Sequence, residues 1–244
     1  MNKIIEFNNI IFSENTFYSI SGANNSGKTT FIRLLQKELY SDSIIVNKKN
    51  INNYTTNELN TIIRGVIPLE ISFLSNNLIE ELTIRNNNKE LQDFLLKGLK
   101  IKSISKIKFN ELSKREIVLS QIVIALSYKP QVLLLDSISN YLSNTDMKNI
   151  YKLLNDYRSK YNLTVITTTN KLEDTLYSDY LYIIENNEVF LEGKPLEVLE
   201  KDNILNKLGL SIPFMIDLSV KLRDYNLIDN IELDKDRMVD ILWK

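Results

Sequence analysis

The residues with the clearest chemical potential form a short loop near the N-terminus, Gly22-Ala23-Asn24-Asn25-Ser26-Gly27-Lys28-Thr29. The loop satisfies the pattern G-x-x-x-x-G-K-[ST] at every fixed position. In this pattern, glycines let successive backbone N–H groups point at a polyphosphate, the lysine reaches the β- and γ-phosphates, and the threonine hydroxyl lies on Mg²⁺. We therefore predict a site for ATP and Mg²⁺ whose binding residues are Gly22, Asn24, Asn25, Ser26, Gly27, Lys28, Thr29 and Thr30.

The elements on either side of this loop are those that such a site requires. The apolar run Phe17–Ile20 precedes it and predicts a strand, and Phe31–Lys37 follows with apolar residues at helical spacing. A helix that begins at the loop adds the positive end of its dipole to the phosphate site. A chance match in an ordinary glycine turn is the alternative, and the strand–loop–helix context favours the nucleotide site.

A second ligand for the metal is predicted where another buried strand ends. Val132–Leu135 is continuously apolar, which is typical of a strand buried on both faces of a parallel sheet, and Asp136 follows it. An acidic residue at this place helps to hold Mg²⁺ in phosphate-binding folds. Taken alone, Asp136 could simply cap the strand. Paired with the loop, it predicts a metal site formed by Thr29 and Asp136.

Strand and helix patterns alternate along the rest of the chain, which favours an α/β fold of the P-loop NTPase type: a mostly parallel sheet flanked by helices, with a small antiparallel part. We predict a nucleotide-binding domain over 1–200, a helical subdomain within it over roughly 70–128, and a helical tail over 201–244. The predicted elements are helices at Glu116–Tyr128 and Asp146–Lys160, a strand at Leu163–Thr168, and a hairpin at Tyr180–Leu191 that turns at Asn186-Asn187.

Composition excludes several classes of function. Lys and Arg number 30 against 31 Asp and Glu, so we expect no broad electrostatic contact with nucleic acid. The chain has no histidine, so no step can use imidazole, and no cysteine, which fits a cytosolic protein. No apolar run approaches the roughly 18 residues of a membrane span, so we expect no direct membrane insertion.

Four further segments resemble the ATPases of ABC transporters. Phe109–Glu116 lies where that family has its LSGGQ signature, and Gln121–Pro130 is similar to the helix that leads into its acidic strand. Thr164–Asn170 lies where the family has the strand that ends in a switch histidine. Leu208–Phe214 is similar to the "LGL..PF" tail of energy-coupling factor ATPases, which drive vitamin and metal uptake.

The resemblance also shows which catalytic residues are missing. The family's general base is replaced by Ser137, its switch histidine by Asn170, and its glutamine loop by Pro68 and Leu69. Ser143 occupies the position of the aspartate that follows the acidic strand. Loss of a general base alone commonly costs about 10²–10⁴ in rate. No catalytic residue is intact, so hydrolysis at this chain's own site is expected to be weak or absent.

The signature is altered as well. By resemblance, Ser113, Lys114, Arg115 and Glu116 face the nucleotide of a partner subunit, with Lys114 and Arg115 replacing both glycines. Ser113 and Glu116 also have the spacing of a capping box at a helix start. Two interpretations remain open for this segment: a local cap, or a contact from Arg115 to the partner's phosphate.

The adenine-stacking aromatic of the family is also missing, because Glu14 stands at its position. Phe12 or Phe17 could stack on the base instead, although a phenylalanine in a strand more often packs in the core. Base selectivity is left open by the sequence.

The resemblance implies an ATP-binding subunit of an importer of the energy-coupling factor type, peripheral to the cytoplasmic face of the membrane. It further implies a heterodimer with a more orthodox ATPase, in contact with integral membrane subunits. Ile212, Ile216 and Val220 share one helical face, which serves either as a dimer contact or for packing of the tail. The alternative function is a regulatory ATP-binding module outside transport. A small-molecule kinase would require an arginine-rich lid, which does not stand out.

Overall fold

The computed structural model describes residues 2–70, 73–85 and 88–243. Its strands are β1 (Lys3–Phe7), β2 (Ile10–Ser13), β3 (Phe17–Ser21), β4 (Ile44–Val46), β5 (Lys49–Asn50), β6 (Ile63–Val66), β7 (Val132–Asp136), β8 (Thr164–Thr169), β9 (Tyr180–Glu185) and β10 (Glu188–Gly193). Its α-helices are α1 (Lys28–Leu35), α2 (Thr56–Ile62), α3 (Leu78–Arg85), α4 (Lys89–Gly98), α5 (Lys114–Ser127), α6 (Asn144–Tyr161), α7 (Leu172–Thr175), α8 (Pro195–Leu199), α9 (Asp202–Lys207), α10 (Phe214–Asp224) and α11 (Lys235–Leu242).

The larger sheet has the strand order β10-β9-β3-β8-β7-β6. Strands β9, β3, β8, β7 and β6 run parallel, and β10 pairs antiparallel with β9. The side chains of β3, β7 and β8 are buried on both faces of the sheet, which explains their continuous apolar or hydroxylic sequences. Because the carboxyl ends of parallel strands lie at one edge, the segments after β3, β7 and β8 meet there. The predicted α/β fold is confirmed.

A smaller antiparallel sheet, β2-β1-β4-β5, covers the face of the larger sheet on which α1 also packs. Phe12 on β2 lies in the shared core with an exposed fraction of 0%. Phe17 on β3 is equally buried, against Tyr151 of α6. Neither ring is accessible to a nucleotide, so of the two possibilities that the sequence left open, the structure supports core packing.

Helices α3, α4 and α5 pack with α6 around a second core that includes Leu82, Leu95 and Leu126. Helix α5 begins with a complete capping box, in which the Ser113 hydroxyl accepts from Glu116 N–H and the Glu116 carboxylate accepts from Ser113 N–H. The local capping role predicted for these two residues is confirmed.

The tail packs at the β9 end of the sheet, on the face opposite the smaller sheet, which α5 and α6 also cover. Ile216 and Val220 of α10 are buried in one core with Leu181 and Ile183 of β9, and Ile212 packs against this core partly buried. The apolar face for which a dimer contact was one interpretation therefore serves tail packing within the chain. Within the described ranges, no helix is both long and apolar enough to cross a bilayer.

Candidate nucleotide-binding site

The phosphate loop follows β3 and turns directly into α1. Gly27, at the start of α1, has φ 106°, a backbone conformation that side chains disfavour. A Cβ at Gly27 would lie 2.2 Å from the Asn187 side-chain oxygen, and one at Gly22 would lie 2.3 Å from the Ile184 carbonyl oxygen. Both positions therefore require glycine, Gly27 because of its positive φ and the nearby Asn187, and Gly22 because of the nearby Ile184 carbonyl. The loop is packed against the end of β9 and the β9–β10 turn.

Lys28 lies inside this loop. Its ammonium group donates to the carbonyl oxygens of Gly22 and Ala23, each at 2.8 Å, and to the Ser26 hydroxyl at 3.3 Å. Burial lowers the pKa of the Lys28 ammonium, and the negative charge of Asp136 opposes that change. A buried cation whose hydrogen-bond partners are neutral oxygens favours the approach of an anion such as a triphosphate.

A cavity of about 750 Å³ opens in front of the loop. It brings together the predicted residues of the loop with Ser137 and Asn170, which follow β7 and β8. Among the lining residues Lys28 carries the charge and the others are neutral: Asn24, Asn25, Ser26, Gly27, Thr29, Thr30, Ser137, Asn140, Asn170 and Asn187. Gly22 and Asp136 do not line the cavity: the Gly22 carbonyl oxygen accepts from Lys28, and Asp136 is buried at the end of β7.

Asn140 and Asn187 line the cavity but were not predicted from the sequence. Asn187 lies in the β9–β10 turn, and its N–H donates to the Ser26 carbonyl oxygen at 3.0 Å. Because β9 runs parallel to β3, its carboxyl end lies beside the phosphate loop, and this strand pairing is what would predict a role for Asn187. Asn140 lies in the single-turn helix Ile138–Asn140. It follows Ser137 by three residues, and this closeness in the chain is what would predict that Asn140 also lines the cavity.

Asp136 is buried, and two hydroxyl groups hold its carboxylate in place. Thr168, its partner across β8, donates to Oδ1 at 2.5 Å, and Ser137 donates to the same oxygen at 3.2 Å. The Ser137 N–H in turn donates to the Thr168 hydroxyl at 3.1 Å. Both bonds end on one oxygen, so the second carboxylate oxygen has no hydrogen bond from either hydroxyl.

These residues fit MgATP. Mg²⁺ is usually held by one or two carboxylates together with phosphate oxygens and water, and Asp136 with the Thr29 hydroxyl supplies oxygen ligands of that kind. The loop of residues 22–27 ends where α1 starts, and a helix N-terminus favours a bound anion. Beside Asp136, however, the structure places the serine hydroxyl of Ser137 and not a carboxylate.

The altered signature lies at the start of α5 and does not line this cavity. Arg115 donates to both carboxylate oxygens of Asp146, at 2.8 and 2.5 Å. Arg115 and the Ser143 cap hold the pKa of Asp146 at about 2. Arg115 is therefore paired within the chain, and its contact with a partner's phosphate stays a prediction. Lys114 is exposed and makes no ion pair within the described part of the chain.

The chain is similar to several known proteins. The ABC transporter family matches residues 8–140. An energy-coupling factor transporter ATP-binding protein, EcfA1, from Mesomycoplasma hyopneumoniae is 23% identical, over 97% of this chain and 89% of that protein. The protein of the same name from Streptococcus agalactiae is 27% identical, over 100% and 98%. The structure of cbiO1 from Clostridium perfringens, part of the ABC transporter complex cbiONQ, aligns with a TM-score of 0.69 at 23% identity, over 86% of this chain and 89% of that one.

Proposed function

This chain belongs to the ABC transporter family, and from that premise we propose that it is the ATP-binding subunit of an importer of the energy-coupling factor type. It holds MgATP at Gly22–Thr30 with Asp136 and hydrolyses little or none of it. The names of the curated relatives, which match over most of their length, support the energy-coupling factor assignment.

The observation that carries the proposal is the side-chain chemistry beside Asp136. A water molecule that attacks a phosphate requires a base, and the groups nearest this carboxylate are the hydroxyls of Ser137 and Thr168. Asp136 and the Thr29 hydroxyl would hold Mg²⁺, which would supply positive charge against the phosphates. The residues of the loop position the triphosphate. At the general-base and switch-histidine positions, the Ser137 hydroxyl and the Asn170 amide cannot accept a proton from water near pH 7.

The proposed partners follow from the family's head-to-tail pairing of ATPases. Two copies of this chain would combine two incomplete sites, so we propose a heterodimer with an ATPase that has intact catalytic motifs. ATP bound at Lys28 then stabilises the pair by linkage while turnover occurs at the partner's site. Integral membrane subunits complete the assembly, which places this chain peripherally at the cytoplasmic face of the membrane.

Two measurements test this function. Steady-state ATPase activity of the purified chain should be near background, and robust turnover that Lys28→Ala abolishes would refute the non-hydrolytic assignment. Affinity purification from native membranes should recover a second ATPase and an integral membrane protein. Recovery of the chain alone would favour a regulatory nucleotide-binding module over a transporter subunit.

A further inference from the structure

Asparagine is the most frequent residue in the wall of the phosphate cavity. Asn24 and Asn25 lie in the loop, Asn140 and Asn170 lie beyond β7 and β8, and Asn187 lies in the β9–β10 turn. All of them are exposed, and within the described part of the chain none of their side-chain amides forms a hydrogen bond. Each amide carries a carbonyl oxygen with two lone pairs, so the cavity presents a set of neutral oxygen atoms to a ligand.

The same cavity is poor in positive charge for a site that holds a triphosphate. Lys28 is the single charged side chain among the described residues that line it. The start of α1 adds about half an elementary charge. MgATP is itself an anion, and the buried Asp136 carboxylate at the end of β7 adds another negative charge. A bound triphosphate is therefore left with negative charge that the lining residues do not balance, which is unfavourable in a partly enclosed site.

Cations elsewhere near the site are engaged with other groups. Lys171 follows Asn170, but its ammonium group donates to the Ser139 carbonyl oxygen at 2.9 Å, and Lys171 lines a different cavity. Arg115 pairs with Asp146 at the start of α6. Among the described residues, no second side-chain cation faces the phosphates, so the balancing charge has to come from outside the chain.

We propose that the phosphate cavity binds K⁺ together with MgATP, and that asparagine amide oxygens and phosphate oxygens are its ligands. The inference rests on the proposed function, because the triphosphate supplies part of the coordination. Neutral carbonyl oxygens can replace the hydration shell of K⁺. The two ions are then separated by ligand type, since the Asp136 carboxylate suits Mg²⁺ and the neutral amides suit the singly charged ion.

Asn25 and Asn170 represent the two sides of this cation site. Asn25 has φ of 65°, a conformation that glycine adopts readily, so Asn25→Gly removes the amide without straining the loop. Asn170→Ala removes an amide from the side of the cavity formed after β8. The matched control is Asn186→Gly, because Asn186 is exposed, has φ of 51° and does not line the cavity.

The experiment is calorimetry of MgATP binding in KCl and in N-methyl-D-glucamine chloride at equal ionic strength, so that general screening is the same in both salts. We expect the wild-type chain to bind MgATP about tenfold more tightly in KCl, and the gain to saturate as K⁺ is raised, as linked binding at one site requires. Both cavity variants should match the wild type in N-methyl-D-glucamine and lose most of the gain in KCl. Asn186→Gly should behave as the wild type in both salts.

Equal wild-type affinity in the two salts would overturn the cation site while the phosphate site stands. If Asn25→Gly and Asn170→Ala weaken MgATP by the same factor in both salts, the amides bind the nucleotide directly, and the proposal is wrong. Thermal melting shows whether each variant is folded, and Asn25→Gly carries the test if Asn170→Ala is not. If the wild type binds MgATP in neither salt, the proposed function itself has failed.

Discussion

Replacing Arg115 with methionine tests whether the altered signature serves structure within this chain. The substitution keeps an unbranched apolar side chain and removes the guanidinium that donates to both oxygens of Asp146. That ion pair joins the start of α5 to the start of α6, where Asp146 also takes part in the capping box with Ser143. Without Arg115, the buried Asp146 carboxylate keeps its hydrogen bonds from the Ser143 N–H and hydroxyl and loses its ion pair.

The size of the effect follows from the pKa of Asp146, which falls from 3.8 to about 2, chiefly because of the hydrogen bonds from Arg115. One pKa unit corresponds to about 1.4 kcal/mol, so the full shift corresponds to about 2 kcal/mol at neutral pH. The Arg115 side chain is 47% exposed, and solvent screens its charge. We therefore expect Arg115→Met to lower the free energy of unfolding by about 1–2 kcal/mol at pH 7.

The pH dependence of this difference has a defined sign. The folded-state pKa of Asp146 lies below its unfolded value, so the stabilisation is complete above pH 3.8 and is lost as the pH falls towards 2. The difference between wild type and variant should be constant from pH 7 to pH 5 and should shrink below pH 4.

Urea unfolding followed by circular dichroism measures this difference at each pH. Lys114→Met is the matched control, because it removes one positive charge from the same helix turn without breaking an ion pair in the described structure. Its free energy of unfolding should be unchanged or slightly higher, since a cation near a helix N-terminus is unfavourable. If Arg115→Met is as stable as Lys114→Met at pH 7, the ion-pair reasoning is refuted.

Two other substitutions address the acidic strand and the tail. Thr168→Val removes a donor from the buried Asp136 carboxylate and should cost about 1.5–3 kcal/mol in urea unfolding, whereas Thr168→Ser, which keeps the hydroxyl, should cost clearly less. Equal losses in the two variants would show that the hydroxyl is unimportant. Ile216→Ala should cost about 2–5 kcal/mol because Ile216 is fully buried in the tail core. Phe214→Ala, at a side chain 71% exposed, should stay within about 0.5 kcal/mol, and a reversed order would contradict tail packing.

The parts of the site that the sequence predicts correctly are those specified locally. The strand, glycine loop and helix around Lys28 are contiguous in the chain, and so are the hairpin that turns at Asn186-Asn187 and the capping box at Ser113. Hydrophobic periodicity and capping chemistry act over a few residues, so a single sequence contains the information needed to predict them.

The contacts that the sequence does not predict join residues far apart in the chain. Thr168 lies 32 residues from Asp136, and Arg115 lies 31 residues from Asp146. Which side chains meet depends on strand order and helix packing, and residue types alone do not determine either. The same reason explains why Phe12 and Phe17 were considered for base stacking, although both face the core.

The fate of bound ATP tests the central claim most directly. The purified chain is incubated with MgATP, separated from free nucleotide by gel filtration, and the retained nucleotide is identified by ion-exchange chromatography. We expect the wild-type chain to retain intact ATP, one molecule per chain, and Lys28→Ala to retain none. Conversion of the bound nucleotide to ADP by the wild type but not by Lys28→Ala, or no retained nucleotide at all, would contradict this expectation.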